Sequence, residues 1–161
     1  MKIRPLAVSL LVLPALLVAC DSPRMELDPG AAVDGQIPPP PSVEAPPANA
    51  ERSESGLAWV VLQPGDGETF PTPQDMVQVH YTGWTTDGSM FDSSVERGEP
   101  NVFPAGGLIP GWVEGLQLMS VGEQRRFWIP ADLAYGDEPM QPGAPAGMLV
   151  FDVYLMDVME R

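Results

Sequence analysis

Alternation of apolar and polar residues is the dominant pattern in the second half of the chain. It recurs with a period of two over residues 77–82, 124–129 and 149–156. This period places successive side chains on opposite faces of an extended strand. A further apolar run at residues 57–62 ends at a Pro-Gly turn cluster, and the Asp87-Gly88 pair is a hairpin signal. The pattern predicts an antiparallel sheet of short strands.

One short segment has the pattern of a helix instead. Over residues 111–119, Trp112, Leu116 and Met119 follow one another at spacings of four and three, which places them on one face of a helix. Gly115 within it suggests a close approach of the helix to the sheet. Many short strands with a single short helix indicate an antiparallel α+β domain.

The N-terminus has the composition of an export signal. A basic start precedes an apolar run at residues 6–19, which is interrupted by Pro14 and is too short to cross a bilayer comfortably. The run ends in Leu17-Val18-Ala19-Cys20, which resembles a bacterial lipobox. We therefore predict a signal peptide at residues 1–19 and lipidation of Cys20. An uncleaved anchor helix and a simple buried cysteine are the alternatives.

Residues 20–55 are predicted to be the lipidated N-terminus and a flexible, disordered linker. The segment contains the proline runs Pro38–Pro41 and Pro46-Pro47, few aliphatic residues and no aromatic residue. Such a composition buries too little apolar surface to offset the entropy lost on ordering, and proline runs favour extended polyproline II. A proline-rich ligand for an aromatic groove is the alternative, although the run lacks adjacent basic residues.

Charge and rare residues exclude several classes of function. Without the signal peptide the chain has six arginines, no lysine and 22 acidic residues, a net charge of −16. So acidic a protein is not expected to bind nucleic acid, because phosphate contacts need basic side chains. His80 is the only histidine and Cys20 the only cysteine, so neither a metal site nor an intramolecular disulfide is expected. His80 is predicted to be structural and to face away from Tyr81.

Three aromatic-bearing segments resemble those of the FKBP-type peptidyl-prolyl cis–trans isomerases. They are V-H-Y-T-G-W-T-T-D-G-S-M-F-D-S-S at residues 79–94, Ile109-Pro110-Gly111-Trp112, and Leu133-Ala134-Tyr135-Gly136. The resemblance covers residues 56–161, which we predict to be the isomerase domain. It implies a five-stranded antiparallel sheet wrapped around one short helix, and an activity that needs no cofactor.

The chemistry of prolyl isomerisation explains why the candidate residues are mostly apolar. Rotation about an X-Pro bond is slow because amide resonance imposes a barrier of about 18–20 kcal/mol. A site that binds the twisted amide better than either planar form lowers that barrier. The twisted amide separates less charge than the planar one, so a dry aromatic pocket favours it.

The resemblance assigns a role to each candidate residue. Trp112 is expected to form the pocket floor and Tyr81, Phe91 and Phe151 its walls. Phe103, Leu108 and Ile109 are expected to line it. The N–H of Ile109 and the hydroxyl of Tyr135 are expected to hold substrate carbonyls. Asp92 is expected to polarise the site, paired with Tyr81 and with Arg97, a support residue. The expected catalytic set is therefore Tyr81, Asp92, Ile109 and Tyr135. Core packing remains the alternative for each aromatic residue, and a turn or cap role for Asp92.

Two departures from the family pattern are visible. Asn101 occupies a position where many members have an aromatic residue. The loop at residues 137–147 is shorter than in the best-known members and lacks their histidine and bulky isoleucines. Since that loop caps the pocket in the family, weakened affinity for macrolide inhibitors is expected.

These observations together predict a lipid-anchored isomerase on the periplasmic side of a bacterial membrane, which accelerates folding of exported, proline-containing clients. Asp21 slightly favours the inner membrane, and the outer membrane stays open. A monomer is expected. A non-catalytic binding module with the same fold, or a chaperone-like lipoprotein, is the alternative that the short loop keeps open.

Overall fold

The described part of the chain, residues 36–160 of the computed structural model, contains seven strands, two short α-helices and two single-turn 3-10 helices. The predicted signal peptide, Cys20 and the first part of the predicted linker lie outside the described residues. The strands are β1 (Glu51–Arg52), β2 (Ala58–Gln63), β3 (Met76–Thr85), β4 (Met90–Ser93), β5 (Asn101–Pro104), β6 (Gln124–Ile129) and β7 (Leu149–Met159). The helices are α1 (Ser94–Arg97) and α2 (Pro110–Gln117). No helix between residues 36 and 160 is long and apolar enough to cross a membrane.

The strands form one antiparallel sheet in the order β1-β2-β6-β7-β3-β4, and β5 also pairs with β3. β4 and β5 lie along the same long strand, β3, and are separated in the chain by the single turn of α1. Together they occupy one edge position, so the sheet has the five positions that were predicted. β1 adds a short sixth position at the opposite edge. The expected antiparallel α+β architecture is confirmed.

Helix α2 packs against one face of the sheet, which we call the inner face. Trp112 and Leu116 are buried on it, as the helical spacing predicts. A Cβ atom on Gly115 would lie only 2.8 Å from the ring of Phe127 on β6, so the close approach that this glycine suggested is present. The helix ends at Gln117, two residues earlier than predicted, because the Leu118 and Met119 amides bond to carbonyls three residues back.

The last part of the predicted linker, residues 36–55, lies within the described chain and contacts the sheet. Residues 37–50, which we call the strap, lie against the face of the sheet opposite α2, the outer face. The indole N–H of Trp84 donates to the Ile37 carbonyl at 3.1 Å, and that of Trp128 donates to the Ser42 carbonyl at 2.8 Å. Residues 51–52 continue as β1. The strap covers apolar side chains of the sheet, a contact that the composition argument did not consider.

Candidate active site

A cavity of about 250 Å³ opens between the inner face of the sheet and the start of α2. Nine of the ten site residues predicted within the described chain line this cavity. They are Tyr81, Phe91, Asp92, Phe103, Leu108, Ile109, Trp112, Tyr135 and Phe151. The tenth, Arg97, lies behind the cavity wall. Residues from four strands, α2 and two loops therefore converge on one concave site.

Four aromatic rings form the floor and walls through edge-to-face contacts. The ring of Trp112 is 5.3 Å from that of Tyr81 and 5.4 Å from that of Phe151, with interplanar angles of 88° and 89°. Phe91 meets Phe151 in the same way at 5.4 Å. Edge-to-face pairs at such distances are favourable and hold each ring in one orientation. Because Tyr81, Trp112 and Phe151 are at most 7% exposed, they belong both to the core and to the cavity.

Gly83 on β3 makes room for two of these rings and was missed in the sequence analysis. A Cβ atom at this position would lie 2.7 Å from both Phe91 Cζ and Phe151 Cε1. No ordinary side chain fits in that space without moving a ring. A glycine inside an alternating strand is itself a signal of close approach. That signal was available in the sequence between Tyr81 and Trp84.

Asp92 is fixed at the cavity edge by a hydrogen-bonded network. The Tyr81 hydroxyl donates to Asp92 Oδ2 at 2.5 Å, and Arg97 Nη1 forms an ion pair with Asp92 Oδ1. Arg97 Nη2 donates to the Tyr81 hydroxyl at 3.2 Å and to Asn101 Oδ1 at 3.0 Å. Asn101, at the position where the resemblance leads one to expect an aromatic residue, thus accepts from the same Arg97 nitrogen as Tyr81 and helps to hold the guanidinium. The pairing of Asp92 with Tyr81 and Arg97 is present as predicted from the resemblance.

This network sets the ionisation of both acidic groups. Burial acts to raise the pKa of Asp92, but the hydrogen bonds from Tyr81 and Arg97 outweigh it and hold the pKa below its ordinary value. Burial, followed by the hydrogen bond to Asp92, raises the pKa of Tyr81. At neutral pH the site therefore holds a carboxylate and a neutral phenol.

The short helix α1 positions Arg97. The Ser93 hydroxyl caps its start by accepting from the Glu96 amide at 3.1 Å, and Gly98 ends it with a φ of 78°. The Ser94 hydroxyl accepts from the Tyr81 amide at 2.8 Å and lies 3.0 Å from His80 Nδ1. His80 therefore supports the backbone on the side away from the cavity, in line with its predicted structural role.

Backbone and rim groups complete the cavity. Ile109 precedes α2, and its carbonyl accepts from the Trp112 amide at 2.9 Å, whereas its own N–H has no protein partner among residues 36–160. Tyr135 lies at the rim and is 45% exposed. A wider depression of about 610 Å³ continues past Tyr135 onto the short loop, where Met140 is 83% exposed. Within the described chain, no group of three His, Cys, Asp or Glu side chains could hold a metal ion.

Comparison with known proteins agrees with the fold. The family model described as FKBP-type peptidyl-prolyl cis–trans isomerase matches residues 67–156. The chain therefore belongs to the FKBP-type peptidyl-prolyl cis–trans isomerase family.

Individual relatives match the same part of the chain. The chain is 47% identical over 116 residues to the FKBP-type peptidyl-prolyl cis-trans isomerase FkpA of Aeromonas hydrophila, covering 69% of this chain and 43% of that protein. It is 45% identical over 114 residues to FK506-binding protein 1 of Candida glabrata, covering 68% of this chain and 98% of that protein. The crystal structure of FkpA from Escherichia coli matches with a TM-score of 0.65 and 41% identity, over 71% of this chain and 53% of that chain. The chain thus spans about half the length of the two FkpA proteins.

Proposed function

We propose that this chain is a peptidyl-prolyl cis–trans isomerase that acts on proline-containing polypeptides. The observation that carries the proposal is the cavity itself, which is lined by six aromatic side chains and one oriented carboxylate. Family membership supports it. An aromatic cavity of about 250 Å³ suits a proline ring, and isomerisation requires no bond to be broken.

Each part of the site then has a physical task. Trp112, Tyr81 and Phe151 enclose the proline ring and exclude water from the rotating amide. The free N–H of Ile109 and the Tyr135 hydroxyl donate hydrogen bonds to the substrate carbonyls on either side and orient them. Asp92, ionised and held by Arg97, supplies a fixed negative charge beside the amide. These groups stabilise the twisted amide more than the planar forms, which is what lowers the rotational barrier.

The direct test is an assay of prolyl isomerisation in a short peptide, using the chain without its predicted signal peptide. We expect acceleration well above the spontaneous rate, which corresponds to tens of seconds or more. Tyr135→Phe is expected to lower kcat/KM several-fold, because one hydrogen bond worth about 1–2 kcal/mol is lost. A folded protein that binds prolyl peptides without accelerating their isomerisation would establish the non-catalytic binding module, or a chaperone-like protein, instead.

The wide depression beside Tyr135 supports weaker binding of macrolide inhibitors. The rim loop offers small residues and one exposed methionine rather than bulky aliphatic contacts. Each fully buried isoleucine-sized contact is worth about 1.5–3 kcal/mol, so a ligand that reaches the rim loses affinity. Titration calorimetry with FK506 checks this, and an affinity equal to that of the Candida relative would contradict it.

We further propose that Cys20 is lipidated and holds the domain as a monomer at the periplasmic side of a bacterial membrane, where its clients are exported polypeptides. The basic start, apolar run and Leu17-Val18-Ala19-Cys20 segment support this. Separating inner from outer membranes in the fractionation of the wild type decides between the inner membrane, which Asp21 favours, and the outer membrane. Cys20→Ser is expected to release the protein from membrane fractions, and retention of that variant with residues 1–19 uncleaved would indicate an anchor helix.

A further inference from the structure

The outer face of the sheet carries an apolar row that the candidate active site does not use. In the strand register, Ala58 pairs with Trp128, Trp128 with Val150, and Val150 with Trp84. The four side chains therefore lie side by side across β2, β6, β7 and β3. All four are at most 2% exposed although they point away from the core beneath α2. A row of this kind requires a cover, because two exposed tryptophans would leave a large apolar patch in water.

The strap provides that cover and uses both indoles. Trp84 donates to the carbonyl of Ile37 and Trp128 to that of Ser42, so two points five residues apart in the strap are fixed. Val43 and Ala50 pack on the cluster formed by Ala58, Trp128 and Val150. The contacts thus combine apolar burial with two directed hydrogen bonds from the face to strap carbonyls.

Proline content suits the strap to this face. Six of its 14 residues are proline, in the runs Pro38–Pro41 and Pro46-Pro47. Proline has no N–H, so these residues place no unsatisfied donor against the apolar row, while their carbonyls remain good acceptors. A proline-rich chain is also already extended, so it loses little conformational entropy on docking. Aromatic grooves bind proline-rich peptides for these same reasons.

Ser42 shows that the docked path is imposed by the contacts. Its φ is 62°, in the left-handed region that costs a serine free energy. Its carbonyl is the acceptor for Trp128 at 2.8 Å. Since the local sequence does not favour this turn, the face holds the strap in it.

We propose that the outer face of the sheet is a second peptide-binding site, distinct from the cavity, whose ligands are proline-rich segments and whose resident ligand is the strap. Trp84 and Trp128 bind backbone carbonyls of the ligand through their indole N–H groups, and the apolar row receives small apolar side chains such as those of Val43 and Ala50. A proline-rich segment supplied from outside competes with the strap for the same two indoles.

Exchange and chemical shift of the indole N–H groups in the full chain test the proposal. Changing Pro38, Pro39, Pro40 and Pro41 together to glycine weakens the strap, and we expect the indole N–H of Trp84 and Trp128 to exchange at least about tenfold faster. A synthetic peptide of residues 36–50, added to this variant, is expected to restore the wild-type positions of both resonances. The same peptide with glycine in place of each proline is not expected to restore these positions.

Controls separate docking from general destabilisation. Pro142→Gly in the rim loop should leave both indoles unchanged, and isomerisation of a short peptide should persist in the strap variant. If the four-glycine variant folds poorly, Val43→Ser weakens the same contact more gently and is used in its place. Unchanged indole exchange in a strap variant, or failure of the peptide at millimolar concentration to move either resonance, would overturn the proposal.

Discussion

Both faces of the sheet carry buried tryptophans, but one face borders an open cavity and the other is covered by the strap. On the inner face Trp112 is 6% exposed and borders an open cavity, while on the outer face Trp128 is 1% exposed under the strap. Burial alone therefore does not identify the functional face. The inner face is distinguished by unfilled space lined by an ionised carboxylate and by Ile109, whose N–H has no partner within residues 36–160, whereas the outer face has its two indole donors satisfied within the chain.

Removing one tryptophan from each face gives the largest expected effects. Trp112→Ala and Trp128→Ala should each lower the free energy of unfolding by about 3–5 kcal/mol, because both delete a large buried ring. Only Trp112→Ala should also abolish prolyl isomerisation by the molecules that remain folded. Urea denaturation and a peptide assay in the absence of denaturant measure the two quantities separately.

The corresponding phenylalanine variants serve as milder controls that keep an aromatic ring. Trp128→Phe should retain full activity with a smaller loss of stability, since it removes the bond to Ser42 but little apolar area. Equal losses of kcat/KM in the Trp112 and Trp128 variants would contradict the assignment of catalysis to the inner face.

The inner face was largely predictable from the sequence, because its signals are local. The period of two identified β3, β6 and β7, and six of the nine cavity residues lie in the three motifs around Tyr81, Trp112 and Tyr135. Asn101 was visible in the sequence as a departure from the family pattern. Its contact with Arg97 was not, because that contact depends on how the single turn of α1 leads the chain from β4 into β5.

The outer face was not predicted, because its cover is a long-range contact. Ile37 and Ser42 reach tryptophans that lie 47 and 86 residues further along the chain. The composition of the strap predicts only how much of its own apolar surface the segment can bury, and not whether it covers another element. The overlooked signal is on the sheet, where Trp84, Trp128 and Val150 occupy positions that the alternation assigns to solvent. When neighbouring strands each carry an apolar residue on the face that the alternation assigns to solvent, another segment is expected to cover that face.

Substitutions of two glycines on the same hairpin distinguish the packing of the cavity rings from the contact with the strap. Their expected effects on activity and stability are of intermediate size. Gly83→Ala places a methyl group 2.7 Å from two cavity rings, and we expect kcat/KM to fall about tenfold or more, since overpacking costs about 1–3 kcal/mol. Gly88→Ala instead strains a residue with a φ of 87° and places a Cβ atom 3.1 Å from Pro39 Cγ, and it should lower stability by about 1 kcal/mol without changing kcat/KM. Loss of activity in the Gly88 variant alone would show that the strap, rather than Gly83, controls the cavity walls.

The smallest effect concerns the pH dependence of two carboxylates, Asp92 at the cavity and Asp87 in the hairpin turn. Hydrogen bonds hold the pKa of both below the ordinary value of about 4, in Asp87 chiefly from Thr85 and Ser89. A lowered pKa means that each ionised group stabilises the fold above about pH 4, and that this contribution is lost as the pH falls through the folded-state pKa. Asp92→Asn and Asp87→Asn should therefore both be less stable than wild type at pH 6, with the difference shrinking below pH 4.

Activity should separate these two variants where stability does not. Asp92→Asn removes the charge beside the rotating amide and should lower kcat/KM several-fold, the loss expected when a hydrogen-bonded charge worth about 1–2 kcal/mol is removed. Asp87→Asn should leave kcat/KM unchanged, because its carboxylate bonds only within the turn. In the wild type, activity should be flat from pH 5 to 8, since the pKa of Asp92 lies below this range and that of Tyr81 is raised above its ordinary value of about 10. A titration of kcat/KM centred within that range, absent in Asp92→Asn, would show that Asp92 is protonated in the working enzyme and acts as a donor rather than as a fixed charge.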